Sequence, residues 1–241
     1  MSAGCVKSLC YNTQRMKRAK GVYLALRIGL ESARMNLVPM ISLWILAAVL
    51  VLLYYFAPGF AAVLDPIRDW QDAWGWRAAF ANGLVFCGLL PGVFLFAVRS
   101  LRVRRLALTV FAQSVWAGLC GVIGGWMYDL NAQWFGEGID VWTLVVKTAV
   151  CQFLWTPFLF NPLGSAVYAW IGCDFTMKAF EGRSLAGFWQ RVALPNLIMN
   201  WVIWIPCTLA VILFPTALQI QLTGLVNCFF ALIQLMIGRR K

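Results

Sequence analysis

The sequence predicts an all-α fold: a polytopic transmembrane helix bundle of about six spans, with both termini on the same, positive side. Three observations predict it. Of 241 residues, 62% are hydrophobic and only 12% charged, with a mean hydropathy of +0.76, whereas a soluble domain carries about 25% charged residues. Apolar runs at about 39–64, 79–98, 106–128, 142–171, 193–214 and 217–237 approach or exceed the ~20 residues that cross a hydrocarbon core. The charges, finally, alternate from one side of these runs to the other.

Residues 1–38 form a basic arm holding Lys7, Arg15, Lys17, Arg18, Lys20, Arg27 and Arg34 against the single acid Glu31. Tyr23, Leu26, Leu30, Ala33 and Leu37 recur every three or four residues, opposite Arg27, Glu31 and Arg34. That pattern predicts an amphipathic helix lying in the membrane interface. The arm also resembles an organellar transit peptide. The first apolar run starts only near residue 39 and is long enough to stay as a span, so a cleavable signal peptide is not expected.

Residues 39–241 read as a single transmembrane domain, with no soluble domain and no convincing internal repeat. The 99–105 loop carries Arg99, Arg102, Arg104 and Arg105. The 172–192 loop carries Lys178, Arg183 and Arg191, and the tail Arg239, Arg240 and Lys241. The opposite loops hold only Arg68 and Arg77, with Asp65, Asp69, Asp72, Asp129, Glu137 and Asp140. This is the positive-inside asymmetry of a membrane protein, so the net charge of +11 encodes topology and not nucleic-acid binding. The 142–171 run exceeds one straight crossing at 1.5 Å per residue. Pro157 and the pair Asn161-Pro162 are expected to break it, leaving a kinked helix or a helix plus an interfacial piece. A single crossing keeps the charge asymmetry intact; a double crossing spoils it.

Composition also excludes most chemistry. The chain has no histidine, which removes the commonest general base and the imidazole metal ligand together. Its eight cysteines form no CxxC pair, so neither a disulfide framework nor a metal site is indicated. No Walker or dinucleotide glycine motif is present. The chain is therefore not expected to be an enzyme, and no catalytic residue, cofactor or metal is assigned.

What remains is a set of uncharged polar residues at helical spacing within the spans. Gln219, Thr223, Asn227 and Gln234 share one face of the last run, Asn200, Trp204 and Thr208 one face of the run before it, and Thr148, Gln152 and Thr156 one face of the fourth. Ser114, Gly118, Gly121 and Gly125 form a small-residue face in the third, suited to close helix packing. Lys147 is the one full charge inside an expected span. Its stem either snorkels to the headgroups or projects into a pore vestibule. Two readings of the stripes stay open. They are interhelical hydrogen bonds that hold the bundle together, or they line a hydrated path. The segment "NWVIWIP" (200–206) poses the choice most sharply. Pro206 frees the carbonyl near Val202, and Asn200 needs a partner within the bundle, with the Gln152 and Asn227 stripes as candidates.

The motifs "GGWMYDL" (124–130), "VKTAVCQFLWTP" (146–157) and "LIMNWVIWIP" (197–206) together resemble the Mpv-seventeen family, which includes the peroxisomal membrane protein of twenty-two kilodaltons. Trp126, Tyr128 and Leu130 match the first family element, Lys147, Gln152 and Pro157 the second, and Asn200 and Trp204 the third, with Pro206 and Pro215 matching loosely. Cys151 stands where the family has an Asp, Ile205 displaces its Pro, and Thr208 replaces its Gln. The likeness spans about residues 99–237. It implies an integral membrane protein of an organelle, mitochondrial inner membrane or peroxisome, and a weakly selective channel for small solutes. The sequence itself does not separate these membranes from a bacterial inner membrane.

The expectation is thus a channel or pathway for small solutes, embedded in the lipid bilayer and compatible with a homo-oligomer. Lys147, Gln152, Asn200, Trp204, Thr208, Gln219, Thr223 and Asn227 are its pore-lining or interhelical residues, Gly118, Gly121 and Gly125 its packing surface, and Pro157 and Pro206 its kinks. The alternative is a non-transporting scaffold or assembly protein whose polar stripes only hold the helices together.

Overall fold

The structure is a computed structural model and describes residues 37–97, 106–177, 180 and 184–238, with Arg27, Leu30, Glu31 and Arg34. Most of the expected interfacial arm, the 99–105 loop, Lys178, Arg183 and the tail 239–241 lie outside the described residues. Of the arm, Arg27 and Glu31 are seen one helical turn apart, paired at 2.9 Å.

The described chain is helical, without strands. Helices α1 (Leu37–Phe56) and α2 (Phe60–Trp74) are followed by α3 (76–97), α4 (Leu106–Phe135), α5 (Val141–Gly172), α6 (185–212) and α7 (Thr216–Gly238). Among the described residues, four stretches are long and apolar enough to cross a membrane: Trp76–Phe94, Leu106–Phe135, Val141–Gly172 and Leu194–Ile212. A fifth is added if Met40–Phe56 and Phe60–Trp74 count as one broken span. Outward faces carry exposed Ile45, Leu52, Phe111, Phe153 and Phe158, as in a bundle bathed by acyl chains. The chain is a membrane-embedded, multi-pass helical bundle.

The expected span 39–64 does not run straight. It stops at Phe56, and α2 leaves at 104° to α1. Pro58 has no amide hydrogen to continue the ladder, and Gly59 takes φ 80°, a left-handed conformation that glycine adopts without steric cost. On α2 the apolar Val63, Ile67, Trp70 and Trp74 are exposed along one side, Asp65, Asp69 and Asp72 are exposed elsewhere, and no residue is buried. Gln71 ties it inward, accepting from Gln221 Nε2 of α7 at 2.5 Å, and Leu64 packs against the core. Such a helix suits the interface better than the hydrocarbon. At the other end α7 has the length to cross, and it packs against α1, α2, α3, α4 and α6. Its Gln219 and Gln221 are buried against protein.

Prolines do not end the helices that hold them. In α5 the stretch Cys151–Phe160 is a π-helix containing Pro157. The wider i→i+5 turn tolerates the missing donor, and Thr156 Oγ1 donates to the Cys151 carbonyl at 2.8 Å. The helix continues through Asn161-Pro162 to Gly172 as one candidate span, so of the two expected arrangements the separate interfacial piece is not formed. α6 likewise runs through Pro206, and the indole of Trp44 donates to the neighbouring Ile203 carbonyl at 3.1 Å. Further π stretches lie at Gly83–Leu89 in α3 and Trp189–Ala193 in α6.

α3 and α4 form the tightest antiparallel pair. Gly83 faces the Ala117 carbonyl, Gly88 faces Ser114, and Gly121 faces the Ala79 carbonyl. α5 begins at an N-cap: Asp140 accepts from the Thr143 amide at 3.0 Å. Hydrogen bonding from Thr143, by its side chain first and its amide second, holds the Asp140 carboxyl below its ordinary value of 3.8. A lowered folded-state value stabilises the fold above the unfolded value, and the benefit fades as pH falls through the folded one. Asp140→Ala is therefore expected to lower the unfolding temperature modestly at neutral pH. The gap to wild type should close below pH about 4, measured by circular dichroism in detergent; a gap independent of pH contradicts the capping role.

Candidate functional site

Polar side chains from α3, α4, α5, α6 and α7 surround one cavity of about 330 Å³ inside the bundle. α5 supplies Gln152, Thr156, Asn161 and Ser165, α6 supplies Asn196, Asn200, Trp204 and Thr208, and α7 supplies Thr223 and Asn227. Asn82 from α3 and Tyr128 from α4 close it on the other side.

Most of these groups are paired across helices. Gln152 Nε2 donates to Thr208 Oγ1 at 2.7 Å, and the Trp201 indole donates to the Gln152 carbonyl at 2.6 Å. Asn161 donates to the Ala193 carbonyl at 2.8 Å and Asn196 to Ser165 at 3.1 Å. Thr223 gives its one proton to the Gln219 carbonyl at 2.8 Å, so the Tyr128 hydroxyl, 2.9 Å away, donates to Thr223. Asn82 Nδ2 donates to the Ile220 carbonyl at 2.9 Å.

The pairing is incomplete. Gln152 Oε1 and Asn82 Oδ1 have no hydrogen-bond partner among the described residues, although both residues are almost wholly buried. A buried unpaired acceptor costs about 1–3 kcal/mol, so these two are where a bound molecule gains most. Asn200 makes no side-chain hydrogen bond among the described residues and lines the cavity. Its expected partners are engaged elsewhere, Gln152 with Thr208 and Asn227 with the Thr223 carbonyl at 3.1 Å.

Of the residues picked out by spacing, Gln152, Asn200, Trp204, Thr208, Thr223 and Asn227 line the cavity. Gln219 does not. Its amide donates to the Phe214 carbonyl at 2.8 Å and so braces the turn between α6 and α7. Lys147 does not line it either. It is only 3% exposed and forms no ion pair among the described residues, so it neither snorkels to a surface nor projects into the cavity. Asn131 beside it donates to Cys151 Sγ at 3.1 Å. Among the glycines, Gly118 meets the Phe80 ring and Gly121 the α3 backbone, whereas Gly125 has room.

Spacing alone did not find Asn82, Ser165 or Asn196. Asn82 is a lone polar residue in its stretch, whereas Ser165 and Asn196 each stand four residues from an asparagine, Asn161 and Asn200, and that spacing is the signal that could have found them. Asn82 is nonetheless the only amide of the 79–98 run, and an isolated amide in an apolar helix is itself a signal.

The cavity runs along α6 from Asn196 to Thr208 and along α5 from Cys151 to Tyr168, toward the 173–184 connection. Toward the opposite end its last α6 residue is Thr208, followed by an apolar cluster of Val211, Ile212, Phe214 and Leu218 with Tyr54 and Leu64 packed against it. No group of three or more histidine, cysteine or acidic residues suited to a metal occurs among the described residues. No protein-family model, curated protein or solved structure matches this chain.

Proposed function

We propose that the protein is a pathway for small solutes across its membrane, with the cavity as its solute-holding chamber. The observation that carries this is the convergence of polar residues from five helices on one space, with Gln152 Oε1 and Asn82 Oδ1 left unpaired. Interhelical glue alone needs its amides paired and its interior dry. Passage requires the Val211–Phe214 cluster to open, so the pathway is gated at that end. The motif resemblance to the Mpv-seventeen family points to the same kind of activity and supports an organellar membrane. The Gln152–Thr208 and Tyr128–Thr223 pairs favour the second reading, a scaffold whose polar groups only join helices.

Solute flux into proteoliposomes separates the two. Asn200→Leu removes the one unpaired chamber amide without breaking a hydrogen bond, so it is expected to cut flux at least tenfold while leaving the unfolding temperature nearly unchanged. Folded wild-type protein that passes no solute under varied voltage, pH and redox conditions supports the scaffold.

A further inference from the structure

The chamber's lining differs from what a pathway for ions or phosphorylated metabolites needs. Among the described residues no Asp, Glu, Lys or Arg lines it, and the chain has no histidine. Lys147, the one cation of α5, is packed away outside the chamber. What faces the space is a mixed set of uncharged groups. Asn200 offers a free donor and a free acceptor, Gln152 and Asn82 carry acceptors without partners, and Trp204, Met199 and Ile203 supply an apolar wall.

An ion entering such a space sheds water and meets no compensating charge. A neutral lining still conducts cations where a ring of carbonyl oxygens replaces the hydration shell. Here the fully buried unpaired acceptors, Gln152 Oε1 and Asn82 Oδ1, lie on different helices, and with Asn200 they form no ring of carbonyls but sit beside amide donors. Mixed donors and acceptors match a solute whose groups both give and accept hydrogen bonds. The apolar wall matches its carbon skeleton. The volume of about 330 Å³ holds on the order of ten waters at ~30 Å³ each, which suits a molecule of a few carbons and not a nucleotide.

We infer that the chamber selects small, uncharged polyols or amides and rejects ions of both signs. This rests on the pathway reading above and adds the class of solute to it. The test uses the full chain in liposomes, its folding verified by circular dichroism. Light scattering follows glycerol, erythritol and urea entry, and entrapped dyes report potassium and chloride. The expected result is neutral-solute entry at least tenfold above protein-free vesicles, with both ions at background. Potassium or chloride crossing as fast as glycerol overturns the inference and leaves the pathway standing. If no solute crosses at all, both fail.

Asn200→Asp supplies a second arm, because it places a carboxylate on a side chain that has no hydrogen bond to lose. It is expected to slow glycerol and to raise potassium entry at least fivefold. A variant that still passes glycerol at the wild-type rate and excludes potassium shows that charge in the chamber does not set selection, and overturns the inference.

Discussion

Gly121→Ala is expected to destabilise the bundle by about 1–3 kcal/mol, the usual cost of inserting a methyl group into a packed core. A Cβ at Gly121 would collide with the Ala79 carbonyl oxygen of α3. That atom belongs to a helix backbone and cannot rotate away, so the two helices must part. Gly83 interleaves from the other side, where its Cβ would strike the Ala117 carbonyl. Displacing one contact therefore strains the next along the seam. Gly125→Ala is the control. Its Cβ would meet Ala79 Cβ at 3.5 Å, an ordinary contact, and alanine favours helix over glycine by about 0.8–1 kcal/mol. That variant should be neutral or slightly stabilised. Thermal unfolding in detergent, followed by circular dichroism, compares the two; equal losses for both would mean that close backbone approach does not hold this pair.

The second large effect is expected at Thr208. Its hydroxyl accepts from Gln152 Nε2 at 2.7 Å, and both residues are almost fully buried. Gln152 Oε1 is already without a partner, so Thr208→Val leaves both ends of one buried amide unsatisfied. The predicted cost is about 1–3 kcal/mol. Adding Gln152→Leu removes the orphaned amide, and the double variant should recover much of the loss. The coupling expected between the two positions is about 0.6–2 kcal/mol, read from a double-mutant cycle of unfolding free energies. Additive losses would show that the pair is not a mutual contact. The same double variant should transport poorly, because the restored stability comes from making the chamber wall apolar.

These predictions separate what could be read locally from what could not. Helical stripes were legible because a 3.6-residue period places Asn200, Trp204 and Thr208 on one side of their helix whatever surrounds it. The same arithmetic marked Gly118, Gly121 and Gly125 as one small-residue face but could not say which of them touches a neighbour. Two of the three are tight and one has room, because helix crossing brings backbones close over only part of a shared face. Asn82 illustrates the opposite limit. Its role depends on α7, well over a hundred residues away, and nothing near it in sequence records that partner.

By itself the sequence determined the helical class, the embedding in a membrane, and which residues share a helix face. Hydropathy, periodicity and charge placement are properties of a chain segment and need no neighbour to be read. The tertiary structure alone decided that α2 turns away at 104°, that Lys147 is packed outside the chamber, and that Gln219 braces a turn. It alone decided that stripes from separate helices face one common space. The rotation of each helix about its own axis is set by the helices packed against it, and those contacts lie far apart in the chain.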